Sequence, residues 1–288
     1  MSILTVTLNP AIDRMIRLDK IIVGKDHRVL SVKDSAGGKG VNVARALRGL
    51  GVRADSLTFL DESPDGVRVN TTVMDARGRV MRFMEPGVVA SRLAQEQFIR
   101  KFKTCVKSYR YVVIAGSLPP RMKPSYLVAL IEVVKKQGAW VAVDTSGVAL
   151  KAAIESGVDL IKPNREEAQD FLGMRLSSRK RISKALRTLA GCGIKDILVS
   201  LGEDGLAGFD GVNEFFAQAP VVAAGPMVGC GDAALAGFLA GRLAGRDFKG
   251  CVRHAAACGA LAAREFVPGR IVGRDVKDVE RGIIFDKE

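Results

Sequence analysis

The residues Gly229-Cys230-Gly231-Asp232 combine two features that suit phosphoryl-group chemistry. The glycines allow a tight turn, and the apolar run over residues 233–243 predicts a buried helix with Asp232 in its first turn. Free amide hydrogens at such a helix start attract phosphate oxygens. A carboxylate would repel the same phosphate, so its presence favours a base that takes the proton of an attacking hydroxyl group. The segment therefore predicts a phosphoryl-transfer site.

Two other interpretations fit the same residues. Asp is a favoured capping residue, and a glycine turn before a helix often has only a structural role. Residues 229–234 also match the Gly-x-Gly-x-x-Ala pattern of dinucleotide-binding turns. That pattern follows a strand directly and precedes a ribose-binding acid about twenty residues later. Here residues 225–227 separate it from a predicted strand at 221–223, and no such acid ends a strand at that distance.

The elements that position these residues alternate between helix and strand from residue 91 onward, which predicts parallel βαβ units. Predicted helices cover about 91–107, 124–137, 147–156, 165–172, 180–190, 232–244 and 249–264, together with one that begins after residue 40. Predicted strands cover 3–8, 57–60, 110–115, 140–144, 158–162, 196–200, 206–209 and 214–217. We expect one α/β domain over residues 1–288 with a mostly parallel sheet.

A second, small sheet is expected beside this core. Residues 15–18 and 28–32 alternate like half-exposed strands, and residues 67–74 and 79–84 predict a hairpin joined at 75–78. These strands, from about 13–33 and 67–85, predict a β appendage.

Polar and glycine residues follow many of the predicted strands. In an open parallel sheet, ligands bind beyond the carboxyl ends of the strands. Each such residue alone also fits an ordinary turn, whereas several polar loops on one rim favour a site. The residues are Asn9, Asp13, Gly37, Gly38, Lys39, Asn42, Gly116, Ser117, Asp144, Lys162, Asn164, Glu167, Ser200, Gly202 and Gly205.

Composition excludes several classes of protein. The chain has 288 residues and a net charge of +13, but its basic residues are scattered and aromatic residues are only 6%, which disfavours nucleic acid as the partner. Apolar runs are too short for a membrane span, and no signal peptide is evident, so we expect a cytoplasmic protein. Five scattered cysteines argue against a zinc site, and two histidines leave little for a Ser-His-Asp hydrolase.

Six motifs in this order resemble the PfkB-type, ribokinase-like carbohydrate kinases, and the resemblance covers nearly the whole chain. The first two are similar to the branch that contains 1-phosphofructokinase and tagatose-6-phosphate kinase. The motifs are Asn9-Pro10-Ala11-x-Asp13, Gly37-Gly38-Lys39-Gly40-x-Asn42, Gly116-Ser117-Leu118-Pro119, Lys162-Pro163-Asn164-x-x-Glu167, Ser200-Leu201-Gly202-x-x-Gly205 and Gly229-x-Gly231-Asp232.

The resemblance implies a three-layer α/β/α fold with the small sheet as a lid. It also implies roles for individual residues. Asp232 would be the base, the amides of Gly229, Cys230 and Gly231 would hold the transferred phosphoryl group, and Lys162 would neutralise its charge. Substrate would bind at Asp13, Gly37, Gly38, Lys39, Asn42, Arg68 and Ser117, with Lys39, Arg68 and Ser117 as the candidates for an existing phosphate. Nucleotide would bind at Ser200, Gly202, Gly205 and Gly231, and Mg²⁺ at Asn164 and Glu167.

The activity implied is ATP- and Mg²⁺-dependent phosphorylation of a ketohexose monophosphate, with fructose 1-phosphate first. Tagatose 6-phosphate and fructose 6-phosphate are the alternatives. A catalytically weak sugar-phosphate sensor on the same fold is the alternative of another class, although a sensor has no need of the base Asp232. The resemblance also implies a homodimer that pairs through the β lid.

Overall fold

The computed structural model describes residues 2–61, 66–220 and 225–285. Its strands are β1 (Ile3–Thr7), β2 (Ala11–Leu18), β3 (Ser31–Gly37), β4 (Ala54–Thr58), β5 (Arg68–Asp75), β6 (Val80–Met84), β7 (Tyr111–Ala115), β8 (Trp140–Asp144), β9 (Leu160–Ile161), β10 (Asp196–Ser200), β11 (Leu206–Phe209), β12 (Glu214–Gln218) and β13 (Ile284–Phe285).

The α-helices are α1 (Lys39–Gly49), α2 (Arg92–Cys105), α3 (Pro124–Lys136), α4 (Gly147–Glu155), α5 (Arg165–Leu172), α6 (Arg179–Gly191), α7 (Cys230–Leu243), α8 (Phe248–Ala262) and α9 (Gly273–Arg281). Short 3₁₀ turns cover Val106–Ser108 and Gly202–Asp204. Among these helices, none combines the length and the apolar character that crossing a membrane requires.

The large sheet has nine strands in the order β13-β12-β11-β10-β9-β8-β7-β1-β4. The strands from β10 to β4 are parallel, and β11, β12 and β13 continue the sheet as antiparallel strands. The carboxyl ends of the parallel strands therefore meet at one edge. Along that edge the chain places Ser200, Lys162, Asp144, Gly116 and Asn9, each at or just after the end of its strand.

Helices cover both faces of this sheet because its strands are apolar on both sides. One face packs against α2 to α6 through buried side chains such as Phe102, Leu130 and Leu186. The other face packs against α1, α7, α8 and α9, where alanine-rich helices bury residues such as Leu47 and Phe238. The predicted three-layer α/β/α fold with a mostly parallel sheet is therefore confirmed.

A separate four-stranded sheet has the order β3-β2-β5-β6. The predicted hairpin is present as the antiparallel pair β5 and β6, while β2 and β5 run parallel. Successive residues of β2 point to opposite faces. Asp13 lies on the inner face and is buried, whereas Ile12 lies on the outer face and is 37% exposed.

Several element bounds differ from the sequence-based expectation. The strand predicted at 28–32 lies instead at residues 31–37, because pairing with β2 rather than polarity fixes β3, whose side chains are mostly exposed. The strand predicted at 158–162 is only the two residues of β9. Helix α9 and strand β13 were not predicted, since α9 buries only Val276 and Val279. The strand predicted at 221–223 lies outside the described residues.

Candidate active site

The glycine turn, residues 229–231 at the start of α7, is packed so closely that Gly229 and Gly231 have no room for a side chain. Gly229 adopts a left-handed φ of 77°, and a Cβ atom there would lie 2.6 Å from the backbone nitrogen of Gly269. A Cβ atom on Gly231 would lie 2.9 Å from Nζ of Lys162. Within the described residues no side chain caps this helix, so its first amide hydrogens remain for an anion. The ammonium group of Lys162 lies beside them.

Asp232 is buried in the first turn of α7, as the sequence predicts, and is 6% exposed. Its Oδ2 accepts a hydrogen bond of 2.9 Å from Nδ2 of Asn42 on α1. Burial, and next the negative charge of Asp144, raise the pKa of Asp232 to about 6. The carboxylate is therefore a stronger base than an exposed Asp and is still ionised at neutral pH.

Cys230 contributes its backbone rather than its thiol. Burial, together with the charge of Asp232, raises the pKa of the Cys230 thiol to about 11. The thiol therefore stays neutral, which leaves the amide hydrogen as its polar contribution to the turn.

Asp144, at the end of β8, joins two lysines that come from different segments. Its Oδ1 lies 2.8 Å from Nζ of Lys39, and its Oδ2 lies 3.0 Å from Nζ of Lys162. Burial opposes ionisation of Asp144, but the two ammonium groups outweigh it and hold the pKa of Asp144 below its ordinary value. The sequence predicts Asp144 at the end of a strand but assigns it no functional role. Its pairing with two lysines is therefore a feature of the site that sequence reasoning missed.

Lys39 lies where the sugar-binding and metal-binding candidates meet. Its ammonium group reaches Asp144 and also lies 3.4 Å from Oε1 of Glu167. Burial disfavours its charge, but Asp144 and Glu167 raise the pKa of Lys39 above the ordinary lysine value. The ammonium group of Lys39 therefore points toward the phosphoryl-transfer side.

The sugar-binding candidates cluster between α1 and the small sheet. A Cβ atom on Gly37 would overlap the carboxylate of Asp13, and one on Gly38, whose φ is 107°, would lie 2.7 Å from Cγ2 of Thr7. Asp13 accepts a hydrogen bond of 3.1 Å from Nδ2 of Asn70, which lies opposite it on β5. Burial raises the pKa of Asp13, and Asn70 opposes that rise. Asn70 was not predicted, because only the strand pairing brings it to Asp13.

Arg68 and Ser117 meet at a different point, around Asn9. The guanidinium group of Arg68 donates to the carbonyl oxygens of Asn9 and Glu85, both at 2.9 Å, and to that of Pro10 at 3.3 Å. Nδ2 of Asn9 donates to Oγ of Ser117 at 3.1 Å. The three candidates for an existing phosphate are therefore split, with Arg68 and Ser117 together and the ammonium group of Lys39 at Asp144.

The metal and nucleotide candidates adjoin each other. Asn164 and Glu167 form a reciprocal cap on α5, in which Oδ1 of Asn164 accepts from the amide of Glu167 at 2.8 Å and Oε2 of Glu167 accepts from the amide of Asn164 at 2.9 Å. Asn164 also forms a β-bridge with Ser200. Gly202 and Gly205 have left-handed φ angles of 68° and 93°, and a side chain on Gly205 would overlap the backbone of Ala217.

These residues fit Mg²⁺ by the chemistry of their donors. Both Asn164 and Glu167 offer hard oxygen ligands, and the described residues contain no cluster of three His, Cys, Asp or Glu that could form a complete protein cage. Mg²⁺ commonly keeps several waters and takes one or two protein ligands together with substrate phosphates. Asn164 and Glu167 match this way of binding, in which the protein supplies only one or two ligands.

A parallel α/β sheet with an anion-binding turn, a buried base and lysines along one edge is typical of enzymes that transfer phosphoryl groups to small molecules. Residues 6–269 match the model of the pfkB family carbohydrate kinases. The chain therefore belongs to the pfkB family of carbohydrate kinases. As a member of that family it is an enzyme that uses ATP, and the predicted family is confirmed.

Relatives and solved structures agree with this assignment. A 1-phosphofructokinase from Xanthomonas campestris pv. campestris is 30% identical over 281 residues, which covers 88% of each chain, and it represents the predicted branch. The phosphofructokinase-2 of Escherichia coli, solved in complex with fructose-6-phosphate, superposes with a TM-score of 0.83 at 26% identity, covering 97% of this chain and 98% of that chain. A possible 1-phosphofructokinase from Thermotoga maritima has the same fold, with a TM-score of 0.89 at 22% identity and 99% of each chain covered.

Proposed function

We propose that the chain transfers the terminal phosphoryl group of ATP to a hydroxyl group of a ketohexose monophosphate, and that fructose 1-phosphate is converted to fructose 1,6-bisphosphate. The observation that supports the proposal is the hydrogen bond of 2.9 Å between Asn42 and Asp232, because it joins a sugar-binding candidate to the buried carboxylate beside the glycine turn. The relative named 1-phosphofructokinase supports this substrate. Fructose 6-phosphate, the ligand of a similar structure, and tagatose 6-phosphate are the alternatives.

Asp232 acts as the general base in this proposal. The acceptor hydroxyl donates a hydrogen bond to Oδ1 of Asp232, while Asn42 holds Oδ2. As the sugar oxygen forms its bond to the terminal phosphorus, the bond from that phosphorus to the bridging oxygen of ATP breaks and ADP leaves. The proton of the hydroxyl moves to Asp232. The raised pKa of Asp232 suits this role, because a base whose pKa lies near the working pH accepts a proton more readily.

The amides of the glycine turn stabilise the phosphoryl group during transfer. The peptide hydrogens of Gly229, Cys230 and Gly231 face negative charge that grows on the phosphoryl oxygens, and Lys162 adds a fixed positive charge at Gly231. Because Asp144 holds Lys162 in place, the charge is preorganised and little rearrangement is needed when substrate arrives.

Asn164 and Glu167 would hold Mg²⁺, which supplies positive charge to the phosphates of the nucleotide. Glu167 would act through its own oxygens or through metal-bound water, since Oε2 already accepts from the amide of Asn164. The nucleotide lies in this proposal along Ser200, Gly202 and Gly205, next to Asn164 in the sheet.

The sugar and its phosphate occupy the space between α1 and the small sheet in this proposal. Asp13, Gly37, Gly38 and Asn42 hold the hydroxyl groups. Arg68 and Ser117 bind the phosphate already present on the sugar, with Lys39 between that phosphate and the transferred one. Arg68 has five N–H donors and, among the described residues, uses three for carbonyl oxygens, so two remain there for a phosphate.

In this proposal residues 1–288 form a single kinase domain, and the small sheet is its lid. The same sheet is the surface through which two copies pair. Its outer face exposes apolar residues on three strands, among them Ile12, Val32 and Phe83. An ion pair between Arg14 and Asp34, 2.8 Å long, crosses the same face. Two copies of such a face would cover each other's apolar side chains and exclude water from the sugar. A cytoplasmic location is part of the same proposal.

An assay of ADP release tests the substrate. The purified chain, with ATP and Mg²⁺, is offered fructose 1-phosphate, fructose 6-phosphate, tagatose 6-phosphate, free fructose and ribose. We expect the highest kcat/KM with fructose 1-phosphate and values at least about 100-fold lower with the free sugars, because a charged phosphate contact is lost. ADP release that no sugar phosphate raises above the sugar-free background would overturn the proposal.

A further inference from the structure

Arg45 lies on α1, one turn after Asn42, and its guanidinium group connects three segments of the chain. Nη1 donates to Oδ1 of Asn42 at 2.8 Å and to the carbonyl oxygen of Pro268 at 2.5 Å. Nη2 donates to the carbonyl oxygen of Ala36, which directly precedes the sugar-binding candidate Gly37 at the end of β3. Arg45 thus contacts the end of β3, Asn42 as the partner of the base, and the turn at residues 268–269.

The contact to Asn42 fixes the direction of its side-chain amide. A guanidinium group can only donate, so Oδ1 of Asn42 must face Arg45 and the NH₂ group must face the opposite way. On that side lies Oδ2 of Asp232 at 2.9 Å, and Asn42 also lowers the pKa of the nearby carboxyl group of Asp13, which burial raises. Arg45 therefore determines that both carboxylates meet a donor rather than a carbonyl oxygen.

The turn at residues 268–269 joins Asn42 to the glycine turn before α7. A Cβ atom on Gly269 would lie 2.6 Å from the backbone oxygen of Asn42, and one on Gly229 would lie 2.6 Å from the backbone nitrogen of Gly269. Residues 268–269 therefore pack between α1, at Asn42, and the glycine turn, at Gly229. Arg45 holds residues 268–269 in this position through the carbonyl oxygen of Pro268.

We propose that Arg45 is a positioning residue for phosphoryl transfer, which orients the amide of Asn42 so that Oδ2 of Asp232 is held and Oδ1 is left for the acceptor hydroxyl. This inference rests on the proposed function of Asp232 as the base. Through Ala36 and Pro268, Arg45 also keeps the end of β3 and the glycine turn in one arrangement. Without Arg45, both substrates would still bind, but the acceptor hydroxyl and the phosphoryl group would be misaligned.

The pH dependence follows from the groups that face Asp232. These are the carboxylate of Asp144, the ammonium groups of Lys39 and Lys162, the thiol of Cys230, and Arg45 itself. Without Arg45, the amide of Asn42 is free to turn its carbonyl oxygen toward Asp232. A carbonyl oxygen disfavours the ionised carboxylate, so Asp232 would bind its proton at higher pH.

The test compares Arg45→Met and Arg45→Lys with the control Arg48→Met. Arg48 lies on the same helix but is exposed and donates to the carbonyl oxygen of Ala54, away from the site. For Arg45→Met we expect kcat at pH 7 to fall at least about 30-fold with KM for ATP within about twofold, and the acid limb of kcat/KM to move up by about one pH unit. Arg45→Lys should recover part of kcat, and Arg48→Met should stay within about twofold of the native enzyme.

An unchanged kcat in Arg45→Met, or an equal loss at every pH with no shift of the acid limb, would overturn the positioning role. A measurement that needs no turnover distinguishes failure of the positioning role of Arg45 from failure of the proposed function. If the native chain phosphorylates no sugar, a carbon-13 NMR titration of the Asp232 carboxyl group still decides the matter. Because loss of the positive charge in Arg45→Met raises the pKa of Asp232 by itself, Arg45→Lys, which keeps the charge, decides the matter. A higher pKa of Asp232 in Arg45→Lys supports the orienting role, and an unchanged pKa overturns it.

Discussion

Nζ of Lys162 lies 3.0 Å from Oδ2 of Asp144, and both side chains are almost completely buried. The other oxygen of Asp144 lies 2.8 Å from Nζ of Lys39, which also pairs with Glu167 at 3.4 Å. Asp144 thereby fixes the positive ammonium group of Lys162 beside Gly231, where the proposed phosphoryl group is held. A fixed charge of that sign is the electrostatic requirement for phosphoryl transfer.

Replacement of Asp144 by Asn should destabilise the protein and reduce turnover. The buried ammonium group of Lys162 would lose its counter-charge, which costs about 3–5 kcal/mol in comparable buried pairs, whereas Lys39 would keep Glu167. Because the pKa of Asp144 is lowered in the folded state, its contribution is present above the ordinary carboxyl pKa and is lost as the pH falls toward and below that value. Denaturant unfolding at pH 7 and at pH 3.5 measures this difference.

The matched control for Asp144 is Asp278→Asn, which removes the exposed ion pair with Arg281. We expect no measurable change in the midpoint of unfolding for this variant, since exposed pairs contribute little. Equal unfolding midpoints for Asp144→Asn and the native chain would contradict the structural role of Asp144.

Replacement of Gly231 by Ala should separate activity from stability. The new Cβ atom would lie 2.9 Å from Nζ of Lys162, which is buried and held by Asp144, so the ammonium group must move. We expect kcat to fall about 100-fold, while the free energy of unfolding falls by less than in Asp144→Asn, because Lys162 keeps its counter-charge and Ala favours a helix. Steady-state kinetics and denaturant unfolding measure the two effects.

Gly191→Ala serves as the control for Gly231→Ala. Gly191 also lies in a helix, and a Cβ atom there meets no atom within 4 Å. This variant should keep native kinetics. A Gly231→Ala enzyme with native kcat would show that Lys162 does not need its observed position.

Replacement of Phe83 by Asp should weaken the proposed pairing of two copies. Phe83 lies on the outer face of the small sheet with 54% of its surface exposed, so the charge is tolerated in a single copy but opposes burial between two. Light scattering after size-exclusion chromatography should give a dimer mass for the native chain and a monomer mass for the variant. The control Val23→Asp, at a residue 93% exposed outside the strands, should remain dimeric. A dimeric Phe83→Asp variant would rule out this face.

The order of polar groups along the sheet edge could be predicted from the sequence, because each follows an apolar run that forms a parallel strand. The approach of Asn42 to Asp232, across 190 residues, does not follow from that order, because both lie in the first turns of helices, α1 and α7, that pack against each other. The direction of long side chains could not be predicted. Lys39 was expected at the sugar phosphate, yet its ammonium group lies at Asp144 and Glu167, since the sequence fixes where its backbone lies but not which carboxylate its flexible chain reaches.

Features that depend on strand pairing also escaped prediction. Asn70 faces Asp13 only because β2 and β5 pair in parallel, a register that no short-range pattern specifies. Strand β13 has two residues and forms by pairing with the end of β12. Such elements are stabilised by tertiary contacts rather than by their own propensity.

The pH dependence of kcat/KM should report the ionisation of Asp232 in the free enzyme. Burial raises the pKa of Asp232 to about 6, so the fraction of ionised base falls as the pH falls through about 6. We expect kcat/KM to be constant near pH 7.5 and to decrease about tenfold per pH unit below about pH 5.5. A profile that stays flat to pH 4.5 would exclude a base with this pKa.

The most direct test of the account is the turnover of Asp232→Asn with ATP and fructose 1-phosphate. The substitution keeps the size of the side chain but removes its capacity to accept a proton, while Asn164, Glu167 and Ser200 are untouched. We predict that kcat falls at least about 1,000-fold and that the Kd for ATP, measured by calorimetry, changes less than about threefold. A variant that keeps kcat within tenfold of the native enzyme would contradict the assignment of Asp232 as the base.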